Sequence, residues 1–424
     1  MDVESLSDLG TARRRALLDR ETDLAAVRAD AEQIIDRVRT EGDVAVREFN
    51  SEFDGVSVGN LDVSDLAERA IGDVDPDIVA AIETAASNIR RFHERQRRSD
   101  WDMEVDGGTL GRRFHPLERV GAYVPGGTAA YPSSALMTVI PAKVAGVEQV
   151  AVTTPPGDPI NPITLAALEI VGVDEIYRIG GAQAIGALAY GTETVPAVDK
   201  IVGPGNQWVT AGKATVHGDV EIDMLAGPSE ILVIADETAR PEWIASDLVA
   251  QAEHGPTSVC VAISPDRAFM EALSAEVADR APETARAEIV EQALSSNASA
   301  LLTTRSMSEA IAFASEFAPE HLSVQTAEPA TIADRISTAG SVFLGHSTPV
   351  ALGDYASGTN HVLPTHGLTK RTSGLSVDDF VRSSTVQSFT PAGLDRLAET
   401  VRTLAHAEGL DAHAESITAR QDDG

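Results

Sequence analysis

Between Val120 and Asn206 the chain alternates short apolar runs with glycine-led helical segments, and this alternation most narrows what it can fold into. Residues 120–124, 149–153, 175–179 and 200–202 read as strands, and residues 135–145, 162–170 and 180–189 as helices. Repeated strand–helix units predict a mostly parallel sheet with helices on its faces. Three of the predicted strands run into glycine turns: Pro125-Gly-Gly-Thr128, Gly180-Gly181 and Gly203-Pro-Gly-Asn206. Glycine at the carboxyl end of a parallel strand lets backbone N–H groups and a helix N-terminus face a phosphate. Each turn alone is weak, since an ordinary left-handed turn uses the same residues, and none matches the GxGxxG fingerprint. Three together point to a nucleotide site.

A second α/β region opens at residues 230–236, with a helix over 241–253, a strand over 258–263, helix up to 294 and a strand over 300–303. Residues 12–50 and 76–98 carry apolar positions at helical spacing. The segment after 375 reads as mostly helical, an arm or small terminal domain. No internal repeat is visible. A chain of 424 residues is long enough for at least two cores without disulfide support.

Charge bounds the partners. Asp and Glu number 65 against 33 Lys and Arg, for a formal charge of −32, and lysine is confined to Lys143, Lys200, Lys213 and Lys370. Acidic excess spread along the whole chain suits a surface screened by concentrated salt, so we expect a halophilic protein of a salt-rich cytoplasm. It repels phosphates, so no nucleic-acid partner is expected, despite the basic run Arg90-Arg-Phe-His-Glu-Arg-Gln-Arg-Arg98. With no basic, apolar leader and no run of about 18 apolar residues, no membrane role is expected and the protein is placed in the cytoplasm. The lone Cys260 excludes an intrachain disulfide and a thiolate metal cluster.

Four polar stretches carry the chemistry. Gly353-Asp-Tyr-Ala-Ser-Gly-Thr-Asn-His-Val-Leu-Pro-Thr365 is too polar for an ordinary buried strand. Gln251-Ala-Glu-His254 sets Gln251 and His254 at i and i+3, on one face of a helix. In Phe317-Ala-Pro-Glu-His-Leu322, Pro319 disfavours helix at Ala318, which puts Glu320 and His321 at a turn or a fresh helix start. Those two are either a cap with a solvated histidine or a general acid–base pair. The last stretch, His406-Ala-Glu-Gly-Leu-Asp-Ala-His413, is by itself an amphipathic helix with exposed histidines.

Taken together, these stretches resemble the histidinol dehydrogenase family nearly end to end. The resemblance runs from Gly42-Asp-Val-Ala45 through Tyr123–Thr128, Gly180-Gly-Ala-Gln-Ala184, Val202–Asn206 and Ala226-Gly-Pro-Ser-Glu230. It continues through Gln251–His254, Ala318–Leu322, Gly353–His361 and the His406–His413 arm. It implies two Rossmann-like parallel-sheet domains of aldehyde-dehydrogenase-like architecture plus a helical C-terminal arm. The expected division is 1–115 with 230–375 on the zinc and substrate side, 116–229 for NAD, and 376–424 as a dimerisation arm. The implied activity is zinc-dependent, NAD-linked oxidation of L-histidinol through L-histidinal to L-histidine, closing histidine biosynthesis.

By motif position, the resemblance makes Gln251, His254, Asp354 and His413 ligands of one zinc per subunit, which also face the substrate, and Glu320 and His321 the catalytic acid–base pair. Ser229, His321, His361 and Glu408 would contact substrate, and Tyr123, Gln183 and Asn206 would line the NAD site. It also implies a homodimer with shared active sites, completed by His413 and Glu408 of each other's arm. Cys260 lies in an apolar strand, so water activated by Glu320 is the better nucleophile for the aldehyde step. The other readings are a related NAD-linked dehydrogenase of another small diol or amino alcohol, a zinc hydrolase, for which the glycine turns would be useless, and a zinc-stabilised protein without catalysis.

Overall fold

The structure is a computed structural model that describes residues 1–20, 24–126 and 130–422. Gly127 and Thr128 of the first glycine turn lie outside the described residues. The chain divides into two units, Met1–Gln96 with Glu118–Phe380, and Arg97–Leu117 with Val381–Gly424.

In chain order the strands begin with β1 (Val3–Ser5), β2 (Trp101–Val105) and β3 (Gly108–Pro116). β4 (Arg119–Tyr123), β5 (Gln149–Thr154), β6 (Glu175–Arg178), β7 (Lys200–Val202) and β8 (Glu221–Ile222) follow. Then come β9 (Glu230–Ala235), β10 (Val259–Ser264), β11 (Ala300–Thr303), β12 (His321–Gln325) and β13 (Ser341–Leu344), with β14 (Val381–Phe389) near the C-terminus.

The first unit holds two wholly parallel sheets, ordered β6-β5-β4-β7-β8 and β1-β11-β10-β9-β12-β13. Helices precede or follow their strands, so both faces are covered and the central strands can be apolar throughout. β9 and β10 are buried along their whole length. In each sheet the first strand of the α/β run, β4 or β9, stands beside the strand where the order reverses, β7 or β12. That is the Rossmann-like arrangement the sequence predicts.

The N-terminal helices dock differently from the expected division. Ala25–Glu41 and Asp43–Phe53 bury Val27, Ile35, Val38, Val46 and Phe49 in one core with Tyr123, Ile185 and Val209, over the 119–222 sheet rather than with residues 230–375. Only the extreme N-terminus joins the other sheet, where β1 pairs with β11 and Leu6 and Leu17 enter its core. An apolar stripe at helical spacing fixes which face is buried, but not which sheet receives it.

The segment after 375 is mostly helical, as expected, but it also holds a strand: β14 runs antiparallel to β3, which pairs in turn with β2. Arg382, Ser383, Ser384, Thr385 and Gln387 are exposed, so this strand has no apolar alternation to announce it. Two helices follow, Pro391–Ala407 and Asp411–Asp422, the first capped by the Thr390 side chain accepting from the Gly393 N–H.

Candidate active site

β9 and β12 run side by side, with His321 opposite Ile231, and the acid–base candidates sit at their amino ends. Ala318 takes the left-handed conformation (φ 53°), Pro319 follows, and β12 starts at His321. Of the two expectations, a turn or a fresh helix start, the helix does not form: Glu320 lies in a bend and His321 opens the strand. Gly340 makes this entry possible, because a Cβ there would lie 2.7 Å from the Glu320 carbonyl oxygen. The Ser341 N–H donates to that oxygen at 2.9 Å.

Glu320 is buried, and its Oε2 accepts from the Ser229 hydroxyl at 2.7 Å and the Glu230 N–H at 2.8 Å. Ser229 has one proton, given to Glu320, so its oxygen accepts from Gln251 Nε2 at 2.8 Å. This fixes the Gln251 amide and leaves its buried Oε1 without a hydrogen-bond partner. Burial pushes the Glu320 carboxyl up to about 8, against the pull of its two donors. A protonated Glu320 can deliver a proton and an ionised one can take it back, which suits a carboxyl that works in both directions.

The His321 Nδ1 lies 3.2 Å from the Glu230 carbonyl oxygen. A carbonyl only accepts, so Nδ1 carries the hydrogen and Nε2 carries the lone pair. Nε2 is buried without a hydrogen-bond partner, 3.7 Å from Asp354 Oδ1. Burial lowers the pKa of His321, while Asp354 opposes the shift. The site therefore holds a neutral imidazole with its basic nitrogen open.

Asp354 belongs to the helix Val350–Tyr355. Gly353 lets that helix pass Phe343, whose ring edge would meet a Cβ at 2.7 Å. His361 Nδ1 lies 2.9 Å from the Asp354 carbonyl oxygen, so it donates there and leaves Nε2 free. Burial takes the His361 pKa down to about 4. The Asn88 side chain donates to the Ala356 carbonyl at 2.9 Å, and Gly358 passes so close that a Cβ would lie 2.7 Å from the Asn88 carbonyl oxygen.

Gln251 is the penultimate residue of the helix Pro241–Ala252, and His254 lies past its end. The two therefore do not share one continuous helix face. Gln251 is buried and His254 is exposed, with Nδ1 3.3 Å from the Ala250 carbonyl oxygen and Nε2 left as the free acceptor. His254 and Asp354 both lie close enough to shift the proton affinities of Glu320 and His321.

Among the described residues, no three His, Cys, Asp or Glu side chains converge to hold a metal ion by themselves. The first unit offers a different donor set: the unpartnered Gln251 Oε1, the His254 Nε2 and the Asp354 carboxylate. One amide oxygen, one imidazole and one carboxylate fit a zinc ion whose remaining positions are filled from elsewhere. Glu408 and His413 lie in the second unit, both exposed, Glu408 closing the helix Pro391–Ala407 and His413 in the helix Asp411–Asp422.

The expected NAD residues flank the switch point of the five-stranded sheet. Tyr123 ends β4 and Asn206 follows β7, the strand beside it. The Tyr123 hydroxyl accepts from the Gly181 N–H at 3.2 Å, and burial pushes its pKa up to about 12. Asn206 is exposed and caps the helix Gln207–Val216 through its side-chain oxygen. Gln183 is buried in the helix Gly181–Tyr190. Gly203, at φ 108°, brings its Cα so near the Tyr123 carbonyl that a Cβ would lie 2.3 Å from it. The backbone is thus tight at these two strand ends, the setting in which parallel sheets take up dinucleotide phosphates.

Three side chains of the site escaped the sequence reading. Glu230 was visible as the end of the motif Ala226–Glu230 and the polar head of the apolar run 231–235, with no role assigned, yet it is fully buried at the centre of the network. Arg20 pairs with it and gave no signal in sequence. His366 takes φ 55° and covers Gly227, whose added Cβ would lie 1.8 Å from the imidazole.

The profile of the family described as histidinol dehydrogenase matches residues 18–421. A histidinol dehydrogenase from Halobacterium salinarum is 58% identical over all of both chains, and one from Methanosarcina barkeri is 47% identical over 99% of this chain and 98% of its own. A crystal structure of histidinol dehydrogenase from Elizabethkingia anophelis superposes with a TM-score of 0.93 at 37% identity, covering 100% of this chain and 98% of that one. An acetylating aldehyde dehydrogenase from Geobacillus thermoglucosidasius shares the fold alone, with a TM-score of 0.50 at 11% identity over 89% and 96% of the two chains. Fold and likeness together define an NAD-dependent dehydrogenase of aldehyde-dehydrogenase-like architecture. The chain belongs to the histidinol dehydrogenase family.

Proposed function

We propose that this protein oxidises L-histidinol to L-histidine through L-histidinal, consuming two NAD per substrate, as the last steps of histidine biosynthesis. The carrying observation is that two buried polar atoms lack a partner, His321 Nε2 and Gln251 Oε1, with Gln251 tied through the Ser229 hydroxyl to Glu320, the residue before His321. A zinc ion held by Gln251, His254, Asp354 and His413 would act as an electron-pair acceptor for the substrate's amine and imidazole, fixing the alcohol carbon. NAD beside Tyr123, Gln183 and Asn206 would accept the hydride of each oxidation.

The chain's own groups then handle protons and position. His321 Nε2 takes the hydroxyl proton as the alcohol carbon is oxidised. Glu320 takes a proton from the water that adds to the aldehyde, giving the hydrate that loses the second hydride. Ser229 and the free Nε2 of His361 hold the substrate. Glu408 and His413 reach the site across a homodimer. Cys260 stays out of the chemistry: it is buried in β10, its thiol donates to the Leu248 carbonyl at 3.4 Å, and burial pushes its pKa up. Its setting leaves water as the nucleophile. The dispersed charge of −32 supports action in a salt-rich cytoplasm. Among the described residues, no helix is long and apolar enough to cross a membrane.

The test is to incubate the protein with L-histidinol, NAD and zinc in molar KCl and count NADH formed per substrate consumed. Two per substrate is expected. None, from folded zinc-bound protein, overturns the reading in favour of another small diol or amino alcohol.

A further inference from the structure

One residue, Glu230, touches both members of the acid–base pair through its backbone. Its N–H donates to Glu320 Oε2 at 2.8 Å, and its carbonyl accepts from His321 Nδ1 at 3.2 Å. The pair can be no better placed than this residue. Its side chain is fully buried, and the His366 N–H donates to Oε1 at 3.1 Å. The Arg20 guanidinium provides the countercharge, with Nε 3.0 Å from Oε2.

Arg20 does more than neutralise. It is itself buried, its guanidinium stacks 3.5 Å above the Phe317 ring centroid, and Nη2 donates to the Phe317 carbonyl at 2.7 Å. Phe317 ends the helix Met307–Phe317 and leads into the turn that passes through Ala318 and Pro319 into Glu320. A single planar cation thus ties the lead-in to β12 to the first residue of β9, the two places from which the acid–base pair is held. Guanidinium suits this task because it can stack and donate in fixed directions at once.

We propose that Arg20 is a positioning residue for the Glu320–His321 pair, acting through Glu230 and the Phe317 turn. This rests on the reading of Glu320 and His321 as the catalytic groups. Arg20 touches no reacting atom, so its loss changes how fast bound substrate reacts rather than how tightly it is held.

The experiment compares wild type with Arg20→Met, Arg20→Lys, Glu230→Gln and the double variant Arg20→Met/Glu230→Gln. Removing Arg20 alone strands a buried carboxylate and can unfold the protein; the double variant removes both charges and keeps the volume. Expected for the folded variants is a kcat lowered roughly 10- to 100-fold, the range for a displaced catalytic group, with KM for L-histidinol within about threefold and zinc content unchanged. Arg20→Lys recovers part of the loss, and Arg20→Met costs less in the Glu230→Gln background than in wild type. A folded double variant with wild-type kcat overturns the proposal, as does a loss confined to KM.

A second readout needs no turnover. In protein labelled with 15N-histidine, the His321 Nδ1 signal, assigned by its absence in His321→Asn, shifts in the double variant if the Glu230 carbonyl has moved. An unmoved signal overturns the proposal even if the substrate proves to be a different alcohol. A shifted signal supports positioning by Arg20 even where L-histidinol is not consumed.

Discussion

His321 Nε2 lies 3.7 Å from Asp354 Oδ1 and makes no hydrogen bond, while Nδ1 is held by the Glu230 carbonyl. The imidazole is therefore fixed in one tautomer with its basic nitrogen facing the expected metal ligand. His321→Asn keeps a polar group of similar size but removes the base. We expect kcat to fall by about 10²- to 10⁴-fold, the usual worth of a positioned base, with bound zinc unchanged. Equal turnover in the variant rules out His321 as the base.

Glu320 accepts from two donors that persist whether or not the proton is on its other oxygen. Glu320→Gln keeps an oxygen for the Ser229 hydroxyl and the Glu230 N–H but cannot take a proton from water. The aldehyde step, supplied directly as L-histidinal, is expected to lose more rate than the alcohol step. An equal loss in both half-reactions, read by single-turnover NADH formation, removes the case for water activation.

The central strands were legible because a strand buried on both faces must be apolar along its length, as Ile231–Ala235 are. β14 was not, since a mostly exposed strand carrying Arg382, Ser383 and Ser384 is held by ladder hydrogen bonds that leave no mark in residue type. The acid–base pair was recognisable as a motif, but its orienting groups were not. Glu230 reads as a polar strand end, and Arg20 as one more charge among many, because a buried ion pair between distant segments has no spacing rule. The docking of residues 25–53 failed for a related reason: an apolar stripe does not name its partner sheet.

Gly227 lies flat beneath the His366 ring, and its N–H donates to Thr365 Oγ1 at 2.7 Å. A methyl group here has nowhere to go without displacing the imidazole. Gly227→Ala is expected to cost about 1–3 kcal/mol, the range for overpacking a well-filled site, seen as a lower denaturant midpoint. Adding His366→Ala makes room and should recover part of it. A single variant as stable as wild type shows that the loop yields without strain.

His93 is completely buried, with Nδ1 2.8 Å from the Ile89 carbonyl oxygen and Nε2 3.4 Å from the Asn360 side-chain nitrogen. The ring donates at Nδ1 and accepts at Nε2, so a second proton would turn that acceptor against the Asn360 N–H. Burial accordingly lowers its pKa in the folded protein. The unfolded chain, near the ordinary ~6.5, binds the proton first as pH falls. His93 thus leaves stability intact above about pH 6.5 and erodes it progressively below. Denaturant midpoints at pH 7.5, 6 and 5 in constant KCl should fall more steeply for wild type than for His93→Gln. Parallel curves would mean His93 takes up its proton without cost.

Of the four proposed zinc ligands, Gln251, His254 and Asp354 lie in the first unit and His413 in the second. If His413 reaches the site of the neighbouring subunit, His413→Ala and His321→Asn damage different halves of one shared centre. A mixed dimer then rebuilds one intact site: His321 from the His413→Ala subunit and His413 from the His321→Asn subunit. Random pairing makes half the dimers mixed, each with one working site of two, so about a quarter of wild-type activity should return. The two variants are unfolded together, refolded, and assayed against each variant refolded alone. If each subunit instead completes its own site, every site in every combination lacks one residue, and the mixture stays as inactive as its parts.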